Sequence, residues 1–258
     1  MNKQKIKNIK QLSKNEFYDI SRFPKKEGML LFGISISKIN SSQSAKKCFS
    51  YIDELVHKIH YPRVGLTFIY SDTLYLQNQD IQKKDYKTIN KKLKNSILGH
   101  KTEFTKILDK NKWYIQDSFN YITWNQTILE SENFEKYLHK LRKIYDEDKK
   151  FKDYVKKDIK KFKDKINNSN IDYILEEILV FYLATKGKIK FPNKYINGKE
   201  KWVLWCYPGK PLKSEIYLYQ QNFFKLQNKE NPYENCYYDL EDKKLYNYNN
   251  IDLETLEI

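Results

Sequence analysis

Glycine is scarce in this chain, 7 in 258 residues, and none sits in a phosphate loop or a Gly-x-Gly-x-x-Gly fingerprint, so no nucleotide cofactor is expected. Cysteine is scarcer still. Cys48, Cys206 and Cys236 are odd in number, far apart and without a Cys-x-x-Cys pair, which argues against a disulfide framework or thiolate zinc site and favours a reducing compartment. The histidines His57, His60, His100 and His139 show no metal-ligand spacing beyond the His57/His60 pair at a helix end, and no metal is expected. No run approaches the roughly 20 apolar residues that span a bilayer, and the basic start MNKQKIKNIKQ leads into no apolar leader core. A cytoplasmic protein with no membrane segment is the expectation.

Arginine is nearly absent, with only Arg22, Arg63 and Arg142, yet Lys plus Arg number 48 against 33 Asp plus Glu, a net charge of +15. Such a balance favours phosphate-rich or otherwise acidic partners. Heavy use of Lys, Asn, Ile and Tyr is also the imprint of an AT-rich genome, so part of the lysine is mutational background. With about 40% apolar residues, the length suits one large α/β domain over 1–258, its first 27 residues a polar lead-in.

Met29-Leu30-Leu31-Phe32-Gly33-Ile34-Ser35 is a short apolar run next to a turn, as a buried strand should be. After a Ser/Asn-rich loop, Ala45, Cys48, Ile52, Leu55, Val56 and Ile59 recur at helical spacing, and Val64 to Tyr70 form a second β-rich run. The unit predicts parallel strands joined by a helix, with ligands bound beyond the strands' carboxyl ends, where Ser35 sits. Residues 82–99 read as a helix with Tyr86, Ile89, Leu93 and Ile97 on one face and Lys84, Lys87, Lys91 and Lys94 on another. A helical pattern also runs from about Asn133 to Ile166. Residues 171–184 are apolar nearly all round and predict a buried helix. Trp202 to Tyr207 predict a strand stopped by Pro208-Gly209, and the tail from Glu215 alternates aromatic and polar residues as late strands would.

Three features carry chemistry, each with a plainer alternative. Ser35, at a strand's carboxyl end, could be a nucleophile, or could merely satisfy loop backbone groups; Ser37 stands where a Gly-x-Ser-x-Gly elbow needs its second glycine, so a hydrolase gains no support. Tyr173 and Glu177 are four apart and share a helix face, where Glu177 serves a polar ligand or turns to water. The lysine face of residues 84–94 could follow an RNA backbone, or could be a solvated surface.

Taken together and in order, these fragments resemble the cyclodipeptide synthase family. Gly33-Ile34-Ser35 matches its Gly-x-Ser nucleophile motif, Phe68-Ile69-Tyr70-Ser71-Asp72 its strand ending in an acid, and Lys83 to Lys94 its basic helix. Tyr173-Ile174-Leu175-Glu176-Glu177 matches its Tyr-x-x-x-Glu pair, and Leu204-Trp205-Cys206-Tyr207 its closing strand tyrosine. The resemblance covers about residues 28–246. Lys38, three after the nucleophile, and Tyr207-Pro208 are similar to the XYP subgroup rather than the NYQ one.

The resemblance implies a Rossmann-like domain, a mainly parallel sheet flanked by helices, like the catalytic domain of class I tyrosyl- and tryptophanyl-tRNA synthetases. Neither the HIGH nor the KMSKS signature is present, so no ATP is expected. It implies an enzyme, possessing no cofactor, that joins two aminoacyl groups from two aminoacyl-tRNAs through seryl intermediates into a cyclic dipeptide. Ser35 is the implied nucleophile, Tyr173 and Glu177 hold the amino group, and Tyr207 assists proton transfer. Leu31, Gly33, Ile69, Phe119, Val180 and Trp205, with Lys38 and Pro208, are the implied substrate contacts. Lys83, Lys84, Lys87, Lys91, Lys92 and Lys94 are the implied tRNA contacts. The bulk of Phe119 and Trp205 predicts a small or medium first residue, and a monomer is compatible with all of it. The competing expectation from another class is a noncatalytic RNA-binding protein on the same scaffold.

Overall fold

A computed structural model of the chain describes residues 28–58, 64–77, 85–111, 119–162, 165–191 and 202–256. The lead-in 1–27, His60, Lys83 and Lys84 lie outside the described residues. The first apolar run is β1 (Gly28–Ile34), followed by α1 (Ala45–Lys58) and β2 (Val64–Tyr70), the predicted strand, helix, strand unit. Then come α2 (Asp72–Gln77), α3 (Tyr86–Lys110), β3 (Phe119–Thr123), α4 (Trp124–Leu129), α5 (Phe134–Glu147), α6 (Lys149–Phe162) and α7 (Asn168–Thr185). The chain finishes with β4 (Trp202–Tyr207), α8 (Lys213–Gln221), β5 (Cys236–Asp239) and β6 (Lys244–Asn247).

The six strands form one sheet in the order β3-β2-β1-β4-β5-β6. All neighbours are parallel except β5 and β6. This is the 3-2-1-4-5-6 order of doubly wound folds, in which the direction of strand addition reverses between β1 and β4 and opens a crevice at their carboxyl ends. The mainly parallel α/β architecture expected from the sequence is therefore present.

Because side chains alternate across a strand, the continuous apolar run of β1 splits between two cores. Met29 and Leu31 pack with Ile69, Val203 and Trp205 against the helices α5 to α8. Leu30, Phe32 and Ile34 pack with Leu66, Phe68 and Leu204 against α1 and α3. The second core is tied by edge-on aromatic pairs, Phe68 to Phe104 at 4.8 Å and Phe32 to Phe68 at 5.6 Å between ring centroids.

Three elements differ from expectation. The helical pattern over residues 133–166 is two helices, because Asp148 is extended (φ −94°, ψ 104°) and its carboxylate accepts from the Phe151 N–H at 2.9 Å, starting α6 afresh. The segment from Glu215 is first a helix, α8, before the strands come. Its residues Ser214 to Tyr219 are all buried, so burial on every side hides the helical period. Asp158 of α6, itself fully buried, accepts from Ser214 N at 2.8 Å and Ser214 Oγ at 2.7 Å, supplying the cap that the local sequence lacks. The basic helix α3 starts at Tyr86, where Asp85 accepts from Lys87 N at 3.0 Å, and runs on to Lys110.

Candidate active site

The crevice between β1 and β4 is built from backbone ends. Ser35 follows β1 directly, in extended conformation (φ −75°, ψ 124°), and caps a single 3₁₀ turn, Ile36–Lys38. Its Oγ lies 2.9 Å from Ser37 Oγ, and its carbonyl accepts from Lys38 N at 3.0 Å. That turn carries Lys38 over the end of β4, with its ammonium 5.3 Å from the centre of the Tyr207 ring. Gly33 faces the same place: a Cβ there would come to 3.0 Å from the Trp205 indole and 3.3 Å from the Tyr207 ring, so any larger residue would push on both rings.

Glu177 enters from α7, the helix whose other sides are buried in the larger core. Its acidity falls to a pKa of about 7, first because burial penalises the charge, then because of Asp158, with the Lys38 ammonium opposing both. Burial, and then the Glu177 charge, push the Tyr207 phenol well above its ordinary range, so it keeps its proton. Among the described residues neither the Glu177 carboxylate nor the Tyr207 hydroxyl is held in a hydrogen bond, and neither is sealed from solvent. An unpaired carboxylate at such a site costs of the order of several kcal/mol, which a bound ammonium would offset. Tyr173 lies one turn earlier on α7, half-buried against the core.

The structure thus brings Ser35, Lys38, Tyr207 and Glu177 to one crevice, with Pro208 buried beyond Tyr207. Leu31, Ile69, Val180 and Trp205 share the core beside it, and the Phe181 ring packs against Trp205, tilted by 35° with centroids 3.9 Å apart. Phe119 does not join them. It packs at the edge of the other core, 6.0 Å from Phe68 and 5.5 Å from Phe104, because its place on β3 points it to the α3 side of the sheet. Lys87, Lys91, Lys92 and Lys94 are exposed on α3, and Lys91 and Lys92 line a recess of about 610 Å³ between α3 and the loop at Ile39 and Asn40.

Several further polar residues hold this geometry. Asp72, beyond β2, accepts from Trp124 N at 2.9 Å and anchors α4. Trp124 in turn donates to Glu176 at 2.9 Å, fixing α7 next to Glu177. Ser71 Oγ donates to Ile34 O at 3.2 Å and accepts from Ile36 N at 3.3 Å. Gln43 and His100 complete the set, and no local pattern in the sequence announces either. His100 is a buried structural residue, and His139 is exposed. No group of three His, Cys, Asp or Glu suited to a metal occurs among the described residues. No described helix is long and apolar enough to cross a membrane.

The chain matches no protein-family model and no curated protein. Solved structures do share its fold. A cyclodipeptide synthase from Staphylococcus haemolyticus superposes with a TM-score of 0.53 at 16% identity, covering 87% of this chain and 92% of that one. One from Candidatus Glomeribacter gigasporarum, bound to Phe-tRNAPhe, gives 0.50 at 17% identity, covering 82% and 88%. A Mycobacterium tuberculosis protein whose structure relates cyclodipeptide synthetases to type I tRNA synthetases gives 0.50 at 12% identity, covering 78% and 79%. At such identities the likeness is one of fold.

Proposed function

We propose that this protein is a tRNA-dependent cyclodipeptide synthase, a single-domain aminoacyltransferase resembling the XYP subgroup in Lys38 and Tyr207-Pro208. The observation that carries the proposal is the convergence of Ser35, Lys38, Tyr207 and an unpaired Glu177 on the β1/β4 crevice. The shared fold with cyclodipeptide synthases supports it. Ser35 Oγ attacks the ester carbonyl of the first aminoacyl-tRNA, the tRNA leaves through its ribose oxygen, and an aminoacyl-serine forms. The α-amine of that group attacks the ester of a second aminoacyl-tRNA to give a dipeptidyl-serine. The new terminal amine then attacks the seryl ester, closes the ring and releases Ser35.

Glu177, poised near neutrality, holds the ammonium and accepts its proton before each amine attack, with Tyr173 beside it on α7. Tyr207, still protonated, donates toward the reacting oxygens. Since both esters arrive activated, positioning supplies much of the rate and no ATP is needed. The exposed lysines 87, 91, 92 and 94 of α3 suit the tRNA backbone, each neutralised phosphate releasing counterions. Trp205, 1% exposed beneath Gly33 and packed against Phe181, fills the space under the crevice with bulk that favours a small or medium first aminoacyl group.

Mass spectrometry of medium from cells expressing wild type and Ser35→Ala tests the proposal. Diketopiperazine masses are expected with wild type and absent with the variant, and their identity names the amino acids. Products dominated by cyclo-Phe or cyclo-Tyr species would overturn the pocket assignment. Folded wild type that makes no product in hosts supplying all common aminoacyl-tRNAs would favour the RNA-binding alternative.

A further inference from the structure

Ser35 stands where the sheet no longer holds the chain. The β1–β4 ladder stops at Phe32 opposite Cys206, so Gly33 O and Ser35 N lie beyond its last residue pair. Gln43, eight residues after Ser35 and 1% exposed, closes this gap with one side-chain amide. Its Oε1 accepts from Ser35 N at 2.7 Å and its Nε2 donates to Gly33 O at 2.7 Å. A primary amide offers the donor and acceptor of a peptide unit, so the side chain stands in for a missing strand residue. From the other side, Ser71 N donates to Ile34 O at 3.0 Å. The backbone leading into the serine is therefore held from two sides, by Gln43 on one and by Ser71 on the other.

Gln43 is itself held. Its N–H donates to Lys38 O at 3.0 Å, and its carbonyl accepts from His100 Nε2 at 3.0 Å. Because a carbonyl only accepts, His100 carries its hydrogen on Nε2, and in the neutral ring Nδ1 accepts a hydrogen bond from the Tyr70 hydroxyl, 2.9 Å away. The chain Tyr70, His100, Gln43, Ser35 is buried from end to end until it reaches the serine. It links β2 and the lysine-bearing helix α3 to the serine.

We infer that Gln43 is a positioning residue for the Ser35 nucleophile, its amide clamping Gly33 and Ser35 while His100 of α3 orients it. The inference rests on the proposed aminoacyl transfer at Ser35. Losing the clamp frees the backbone on one side of the serine, and a misplacement of about 1 Å can cost about 10²-fold in rate.

The test is single-turnover acylation of Ser35 by aminoacyl-tRNA, with tRNA affinity measured in parallel, for wild type, Gln43→Ala and Gln43→Glu. Gln43→Ala is expected to acylate about 10²-fold slower with tRNA affinity within about twofold of wild type. Gln43→Glu adds a readout that mere loss of structure would not give. A protonated glutamic acid can accept from Ser35 N and donate to Gly33 O, whereas the ionised form sets a negative charge against that carbonyl. Its rate relative to wild type should therefore rise as the pH falls from about 8 to about 6. Acylation of Gln43→Ala within about threefold of wild type, or a Gln43→Glu ratio flat with pH, would overturn the clamp. A wild type that is never acylated would instead overturn the transfer reaction at Ser35 and the clamp's role with it.

Discussion

Two glutamates, the half-buried Glu177 at the β1/β4 crevice and the buried Glu215 under the C-terminal strands, differ most in their partners. Each sits on a helix, α7 or α8, and burial raises their pKa values to about 7 and about 8. Glu215, 2% exposed, accepts from the Tyr248 hydroxyl at 2.6 Å. Glu177 has no hydrogen-bond partner among the described residues and opens toward Lys38 and Tyr207. A third acid between them, Asp158, has its carboxylate filled by the start of α8 and by Lys161. A raised pKa by itself therefore marks burial. The unsatisfied carboxylate at a strand-end crevice is what marks a binding site.

The largest effect expected to sharpen this contrast is in catalysis. Glu177→Gln should lower cyclic dipeptide formation by about 10²- to 10⁴-fold, the span of acid–base contributions, with the melting temperature unchanged or raised. Product quantification beside a thermal melt reads both, and retained activity with a lowered melting temperature would make Glu177 a second Glu215. Next is stability. Glu215→Ala should remove about 1–3 kcal/mol in urea denaturation by orphaning the Tyr248 hydroxyl, while the folded variant keeps its product rate. Lost activity without destabilisation would break the comparison from the other side.

The smallest effect is in the pH dependence of stability. Both folded-state values are raised from 4.5, so between that pH and about 7 for Glu177, or about 8 for Glu215, the folded protein binds more protons than the unfolded one. Their contribution is complete at low pH and is lost as pH rises through those windows. Urea midpoints followed against pH should show a shallower decline for Glu177→Gln and for Glu215→Gln than for wild type. An unchanged slope in either variant would mean that its acid does not titrate in the window.

The candidate site was partly visible in the chain because some of its signals are local. Ser35 follows an unbroken apolar strand, Tyr173 and Glu177 are one helical turn apart, and Pro208 ends β4 wherever that strand pairs. The clamp on Ser35 was not visible, since a glutamine in a Ser/Asn-rich loop gives no sign of which backbone groups it will reach. Phe119 was misplaced for a related reason: its side depends on the register of β3 against β2, Phe119 opposite Leu66, which no short motif encodes. The helix α8 was hidden because total burial erases amphipathic periodicity and its cap comes from Asp158, more than fifty residues away.

By itself the sequence determined β1, α1, β2, α7 and β4, because hydrophobic period and proline act within a few residues. Only the tertiary structure decided that β1 and β4 lie side by side, that Glu177 rather than Glu215 has no hydrogen-bond partner among the described residues, and that Gln43, held by His100, reaches Ser35. Those outcomes depend on satisfying buried polar groups across strands and helices distant in sequence, and their balance exists only once the sheet is assembled.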